Sequence, residues 1–299
     1  MPLPSLGFLR LTPPKPEDVG APSSGTDDLI ERVRHYNVNR QRRLFLGAET
    51  GNVQLIHDNV DPEKIHERND LGYTPLHVAV DAAHIDAVEE LLEASIDGVD
   101  DLTGFADSTQ LRMPSIYMAA MRNHVEILRA LLDANADINR QTSEGQTAMM
   151  VASRHGHEEC FIELGERGSE LNLVVDNRGN AVIHHAVSRN RIDMIVPLIN
   201  YGANLDLAGE DGFTPLQIAI HHDHNIIARM LIAAGVNLDT QNDRGSTALH
   251  IACAEGNVDV VENLLEYNAN RDLLDNNGFS ARRLAEVNSY RDIVRMFET

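Results

Sequence analysis

The chain has 299 residues, 42% of them apolar, and its 46 acidic side chains outnumber 25 basic ones for a formal charge of −21. Such a composition supports a folded core, but a surface this negative repels phosphate backbones and excludes a general nucleic-acid binder. No apolar run approaches the eighteen residues a membrane span requires. Two cysteines, Cys160 and Cys253, stand 93 positions apart in apolar helical patterns and are expected as buried free thiols in a reducing compartment. Lys15 and Lys64 are the only lysines, which base composition explains more simply than selection against ubiquitin acceptors.

Length alone suggests two domains of about 150 residues, unless the chain is repetitive. Residues 1–34, including "PSLGFLRLTPPKPEDVGAPSSGTDD", are rich in Pro, Gly and Ser and are expected as a disordered tail. A degenerate unit follows at about 37–68, opened at Arg42 by "RRLFLGAETGNV". "GYTPLHVAV" (72–80) is the first clear copy, with Thr74 as reference slot. The next slot, Pro114 of "PSIYMAA", comes after a longer stretch at 97–112, "DGVDDLTGFADSTQLR", expected as an enlarged loop. Thr147 ("TAMMVAS"), Ala181 ("AVIHHAV"), Thr214 ("GFTPLQIAI"), Thr247 ("GSTALHIAC") and Ser280 ("SARRLAE") complete the series. The slot spacings are 32, 40, 33, 34, 33, 33 and 33.

Each unit has a physical logic. Thr at the slot caps a helix whose first turn accepts Pro, as at Thr74-Pro75 and Thr214-Pro215. Small residues such as Ala79, Ala152, Ala219 and Ala252 let neighbouring helices approach, a Gly-His-like pair reverses the chain, and paired Leu such as Leu91-Leu92 recur in a second helix. Gly/Asn-rich turns such as "NADIN" (135–139) close the units. In the last unit, about 275–299, Arg282-Arg283 replaces the Leu-His pair, giving a terminal repeat the polar face it needs.

A 33-residue period with T-P-L-H-x-A resembles the ankyrin-repeat family over about residues 35–299. The resemblance implies an all-α solenoid of stacked helix-turn-helix units joined by β-hairpin-like loops. It also implies a non-enzymatic scaffold or adaptor, acting as a monomer in the cytoplasm and nucleus, with no cofactor and no membrane insertion.

The run "AIHHDHNI" (219–226) invites a metal site, but the register separates its members. His221 and His222 end a first helix in positions that vary between units and that the resemblance places on the concave groove. His224 matches His84, His124 and His157 in the turn, and His77, His184 and His250 fill the "TPLH" slot. All of these read as structural or surface residues. A metal needs three or four converging ligands, and "HGHEEC" (155–160) lacks the second His of a zinc-protease motif. No nucleophile elbow, P-loop, Rossmann fingerprint or C-x-x-C occurs. No catalytic, metal or cofactor residue is therefore assigned.

The family binds other macromolecules through hairpin tips and the groove lined by first helices. Those slots here hold Tyr73, Phe213 and Phe279 just before the helix cap, and Arg154, His155, Arg178, Arg189, His221, His222 and Arg244 along the groove. With Glu144, Glu210, Asp211 and Asp243 interspersed, the groove is expected to be less negative than the whole and to receive a protein or peptide of acidic or mixed character. The family's asparagine hydroxylation maps to Asn139 and Asn172, each with a Leu eight residues earlier, although Asn also suits a tight turn. An inhibitor-of-NF-κB-like regulator is one narrower reading, with "SSGTDD" (23–28) as a faint phosphodegron. A substrate-recruiting ubiquitin-ligase subunit is another.

Overall fold

The structure, a computed structural model, describes residues 40–62, 65–94, 99–100 and 112–298. The tail at 1–34 and residues 97–98 and 101–111 of the enlarged loop lie outside this set. The chain divides into Met1–Arg42 and a compact unit, Arg43–Thr299.

Helix α1 covers residues 40–50 and α2 covers Val53–Asn59. Seven helix pairs follow: α3 Pro75–Asp81 with α4 Ile85–Ala94, α5 Ser115–Arg122 with α6 Val125–Asp133, and α7 Ala148–His155 with α8 Glu158–Glu166. Then come α9 Val182–Ser188 with α10 Ile192–Asn200, α11 Pro215–His221 with α12 Asn225–Ala233, α13 Ala248–Glu255 with α14 Val258–Glu266, and α15 Ala281–Val287 with α16 Arg291–Met296. First helices pack side by side from α3 to α15, and second helices do the same from α2 to α16. The result is two layers, with each pair antiparallel across the core.

Thr74, Thr147, Thr214, Thr247 and Ser280 are N-caps, each side chain accepting from the amide three residues on. Arg42 differs from these slots, because residues 40–42 are already helical and the first helix does not begin there. The fifth residue after each cap, from Ala79 to Ala285, is a fully buried alanine, so the first helices approach closely. Opposite it, Leu91, Leu131, Leu164, Leu198, Leu231 and Leu264 of the second helices are at most 1% exposed. A buried Leu contributes roughly 1.5–3 kcal/mol, and these side chains face neighbouring units as much as their own, so stability belongs to the stack.

The turn between paired helices uses a left-handed residue nine positions after the cap: Ala83, Asn123, Gly156, Asn190, Asp223, Gly256 and Ser289 all have positive φ. Asp223, in the middle of the histidine run, is thus a turn residue. A second ladder joins the units at their closing turns. Side-chain oxygens of Asp100, Asn139, Asn172, Asp206 and Asp239 accept the backbone amides of Asp137, Glu170, Asn204, Asn237 and Asn270 at 2.7–3.0 Å. Asn and Asp serve equally because the bond needs only a carbonyl-type acceptor.

Among the described residues, the hairpins leading into first helices follow one design with one exception. Thr142 accepts the Glu144 and Gln146 amides through its hydroxyl. Asn69, Asp176, Asn242 and Asp275 each accept two backbone amides of their own hairpin. Gly209 fills that slot before α11. A Cβ there would stand 2.5 Å from Asn180 Oδ1 and 2.8 Å from the His184 ring, so any larger residue would have to displace one of these side chains. Asn180 Oδ1 instead accepts the Glu210 amide at 3.1 Å. Residues Glu210–Gly212 form a short 3-10 turn with Asp211 in a left-handed conformation.

Candidate functional site

First helices α7, α9, α11 and α13, with the hairpins before them, wall an open recess of about 880 Å³. Arg154, Arg178, Arg189, Phe213, His221, His222 and Arg244 line it, so the structure brings seven of the ten expected partner residues together. His155 stands next to Arg154 at the end of α7, exposed and outside the recess, with its ring stacked on His157 at 5.5 Å. Tyr73 and Phe279 belong to distant units. The slot they share with Phe213 is filled between them by Met113, Gln146, Asn180 and Ser246, so the three rings do not form one continuous edge. Tyr73 is half-buried and stacks on His77 at 6.2 Å, Phe213 leans on His221 at 6.0 Å, and Phe279 is 40% exposed.

Charge is sorted across the recess. The hairpin side carries Glu144, Glu210 and Asp211 among Arg178 and Arg244, and Arg178 reaches Glu210 at 3.5 Å. The other side, where the first helices end, carries Arg154, Arg189, His221 and His222 with Glu255. Arg154 donates to the Tyr117 hydroxyl at 3.2 Å, and that hydroxyl donates to Gln146 at 2.9 Å. A guanidinium is therefore positioned without being neutralised. Burial raises the Tyr117 phenol, against the opposing pull of Arg154.

The histidines separate as the register predicts. In α3, His77 Nδ1 accepts from Thr74 and Nε2 donates to the Met113 carbonyl at 3.1 Å. His250 repeats this with Thr247 and Phe279, and His184 with Ala181 and Leu207. Burial lowers the pKa of His184 and His250, because a charged ring is disfavoured there. The turn histidines His84, His157 and His224 donate to the carbonyls of Glu49, Ala120 and Val187. Among the described residues no group of three metal-ligating side chains converges. Cys160 and Cys253 are free and buried, and burial pushes both thiols up to about 12.

Sequence reasoning missed one buried pair. Four residues after the cap, the groove-facing slot is apolar in Val78, Met118, Val151, Ile218, Ile251 and Leu284, but His185 occupies it in α9. Its Nε2 lies 3.2 Å from Asp176 Oδ2, with both side chains at most 10% exposed. Burial alone would raise Asp176, but the His185 imidazole and the amides of Asn180 and Arg178 outweigh it and hold the carboxyl at about 2. The signal was the one polar residue in an apolar column, visible once the units are aligned. The histidine slot just before it varies as well, with Tyr117, Met150, Gln217 and Arg283 standing there in place of histidine.

Family models for ankyrin repeats match residues 71–101 (a single repeat), 116–162 (many copies) and 163–242 with 225–297 (three copies). The chain belongs to the ankyrin-repeat family. The B-cell lymphoma 3 protein homolog of Mus musculus is 28% identical over 186 residues, 59% of this chain and 40% of that protein. The chain therefore spans less than half the length of that relative. Among solved structures, the ankyrin repeat domain of Bcl-3, described as a unique member of the IkappaB protein family, superposes with a TM-score of 0.66. It is 25% identical, and the match covers 75% of this chain and 97% of that one. The human ASB11 ankyrin repeat domain gives a TM-score of 0.61 at 26% identity, covering 74% and 97%. Ankyrin repeat domains are generally non-catalytic interaction modules, and these relatives support a protein-interaction scaffold. No helix among the described residues is long and apolar enough to cross a membrane.

Proposed function

We propose that this chain is a non-catalytic adaptor that receives an acidic or mixed-charge protein segment along the concave recess. One observation carries the reading. In a chain of net charge −21, the recess arginines Arg154, Arg189 and Arg244 have no ion pair to an acid among the described residues. Unanswered guanidinium groups on a rigid scaffold cost little to order and match carboxylates in geometry. Phe213 supplies an apolar anchor beside them. Replacing Arg154, Arg189 and Phe213 together by alanine is expected to weaken binding of a partner captured from the source cell by at least about 100-fold, with an unchanged melting curve. Retained affinity would refute the assignment.

A narrower reading, a signalling regulator of the inhibitor-of-NF-κB type, is favoured by the likeness to the Bcl-3 ankyrin domain. Failure to retain any NF-κB subunit in a pull-down with the full chain would remove it. Hydroxylation of Asn139 and Asn172 belongs to the same proposal. Their side chains bridge adjacent units as Asp206 and Asp239 do, and intact-mass analysis of native protein is expected to show +16 species.

A further inference from the structure

The reading above leaves the form of the guest open, and the ends of the first helices narrow it. The eighth residue after each cap runs Arg122, His155, Arg189, His222, Glu255 in successive units. An acid closes this row at each end. Arg122 donates to Asp81 at 2.7 Å, and His221, beside His222, lies 2.7 Å from Glu255. Between these clamps, Arg154, His155, Arg189 and His222 have no ion pair with an acid among the described residues. Around His155, burial first and then Arg154, His157, Arg191 and Arg189 push its pKa down, a sign of a positive neighbourhood. Arg191 is itself held by its Nε bond to the Arg154 carbonyl at 3.1 Å.

Spacing then selects a conformation. Packed helices stand about 8–10 Å apart, so the stations of α7, α9 and α11 recur at roughly that interval. The first two carry arginine, and α11 carries the His222 imidazole, which burial and its histidine neighbours hold towards the neutral, hydrogen-bonding form. A β-strand covers it in about three residues, but its side chains alternate, and every third one faces away. A polyproline II helix advances roughly 9.3 Å per turn of three residues, so every third side chain points the same way. It has no internal hydrogen bonds and is already populated in unfolded, proline-containing segments, which lowers the ordering cost of docking.

We propose that the row from Arg154 to His222 receives a partner segment in the polyproline II conformation, with carboxylates at every third position, one opposite each of α7, α9 and α11. This rests on the acidic-guest reading of the recess and adds its register. The test uses the full chain and three fluorescent twelve-residue peptides of identical composition, rich in Pro and Ala, each carrying three glutamates. In one the glutamates stand at i, i+3 and i+6, in the second they alternate, and in the third they are adjacent. Anisotropy titration at low salt is expected to favour the first by about tenfold, and Arg189→Ala, at an exposed position, is expected to erase that preference. Equal affinity for all three would overturn the register while leaving an acidic guest in place. Binding of none would also overturn the inference, and the triple variant of the recess then judges the broader reading separately against the captured partner.

Discussion

His250 and His222 are the same side chain, on neighbouring first helices, in opposite circumstances. His250 is 1% exposed and uses both ring nitrogens, one accepting at the helix cap and the other donating to the hairpin of the next unit. His222 is exposed at the end of α11, beside the rings of His221 and His224. The slot decides the role. At the third position after the cap, an imidazole is enclosed between two hairpins and must stay neutral to satisfy both bonds. At the eighth it lies on a surface where the stack makes no demand on it.

The largest expected difference is in stability. His250→Ala deletes the bridge and leaves a buried void, and is expected to cost about 2–4 kcal/mol in urea unfolding. His222→Ala is expected to stay within about 0.5 kcal/mol. Comparable losses would break the distinction between framework and surface histidines.

Asp176 sharpens the contrast at a smaller scale. Asp176→Ala removes an acceptor for two hairpin amides and the partner of His185, and is expected to cost about 1–2 kcal/mol. Asp176→Asn keeps the amide contacts, as Asn69 and Asn242 do naturally, and is expected to cost less than half as much by thermal melting. Because the folded carboxyl is held at about 2, below its ordinary 3.8, its contribution is present above pH 4 and lost as pH falls towards 2. The Asn variant is expected to lose that part of the acid sensitivity.

A third prediction uses a substitution the chain already contains. Gln217 occupies the histidine slot of α11, accepting the Thr214 amide and donating to the Thr240 and Ser246 carbonyls. His250→Gln is expected to preserve the bridge but cannot titrate. Since the folded pKa of His250 is lowered, its contribution is present above pH 6.5 and lost as pH falls through the folded value. The variant's stability is therefore expected to depend less on pH between 7 and 5 than the parent's, and an unchanged slope would contradict the neutral-bridge account.

The smallest effect concerns His155 and the guest. It is faced by Arg154 and His157 on its own turn and by Arg189 and Arg191 from the turn before α10, with Asp193 beside the adjoining Gly156. A bound carboxylate would raise its depressed pKa, so binding takes up protons. Affinity for the acidic peptide is expected to rise two- to threefold from pH 7 to pH 6, and the rise is expected to vanish in His155→Ala.

The repeat frame, the cap residues, the buried alanines and leucines and the separation of "AIHHDHNI" into groove and turn residues were all legible in the sequence. Each depends on a position within a 33-residue unit and recurs many times. The departures were harder to see. His185 beneath the groove, Tyr117 holding Arg154 and Gly209 beside Asn180 each occur once, and their meaning depends on what the neighbouring unit places against them.

Sequence by itself therefore determined the stack, because hydrophobic period and cap chemistry act locally and accumulate from unit to unit. Only the tertiary structure decided which charges are answered. Arg122 meets Asp81 across 41 positions and His221 meets Glu255 across 34, whereas Arg154 and Arg189 meet no acid among the described residues. Neutralisation requires atoms within about 4 Å, and that distance is set by how one unit lies on the next.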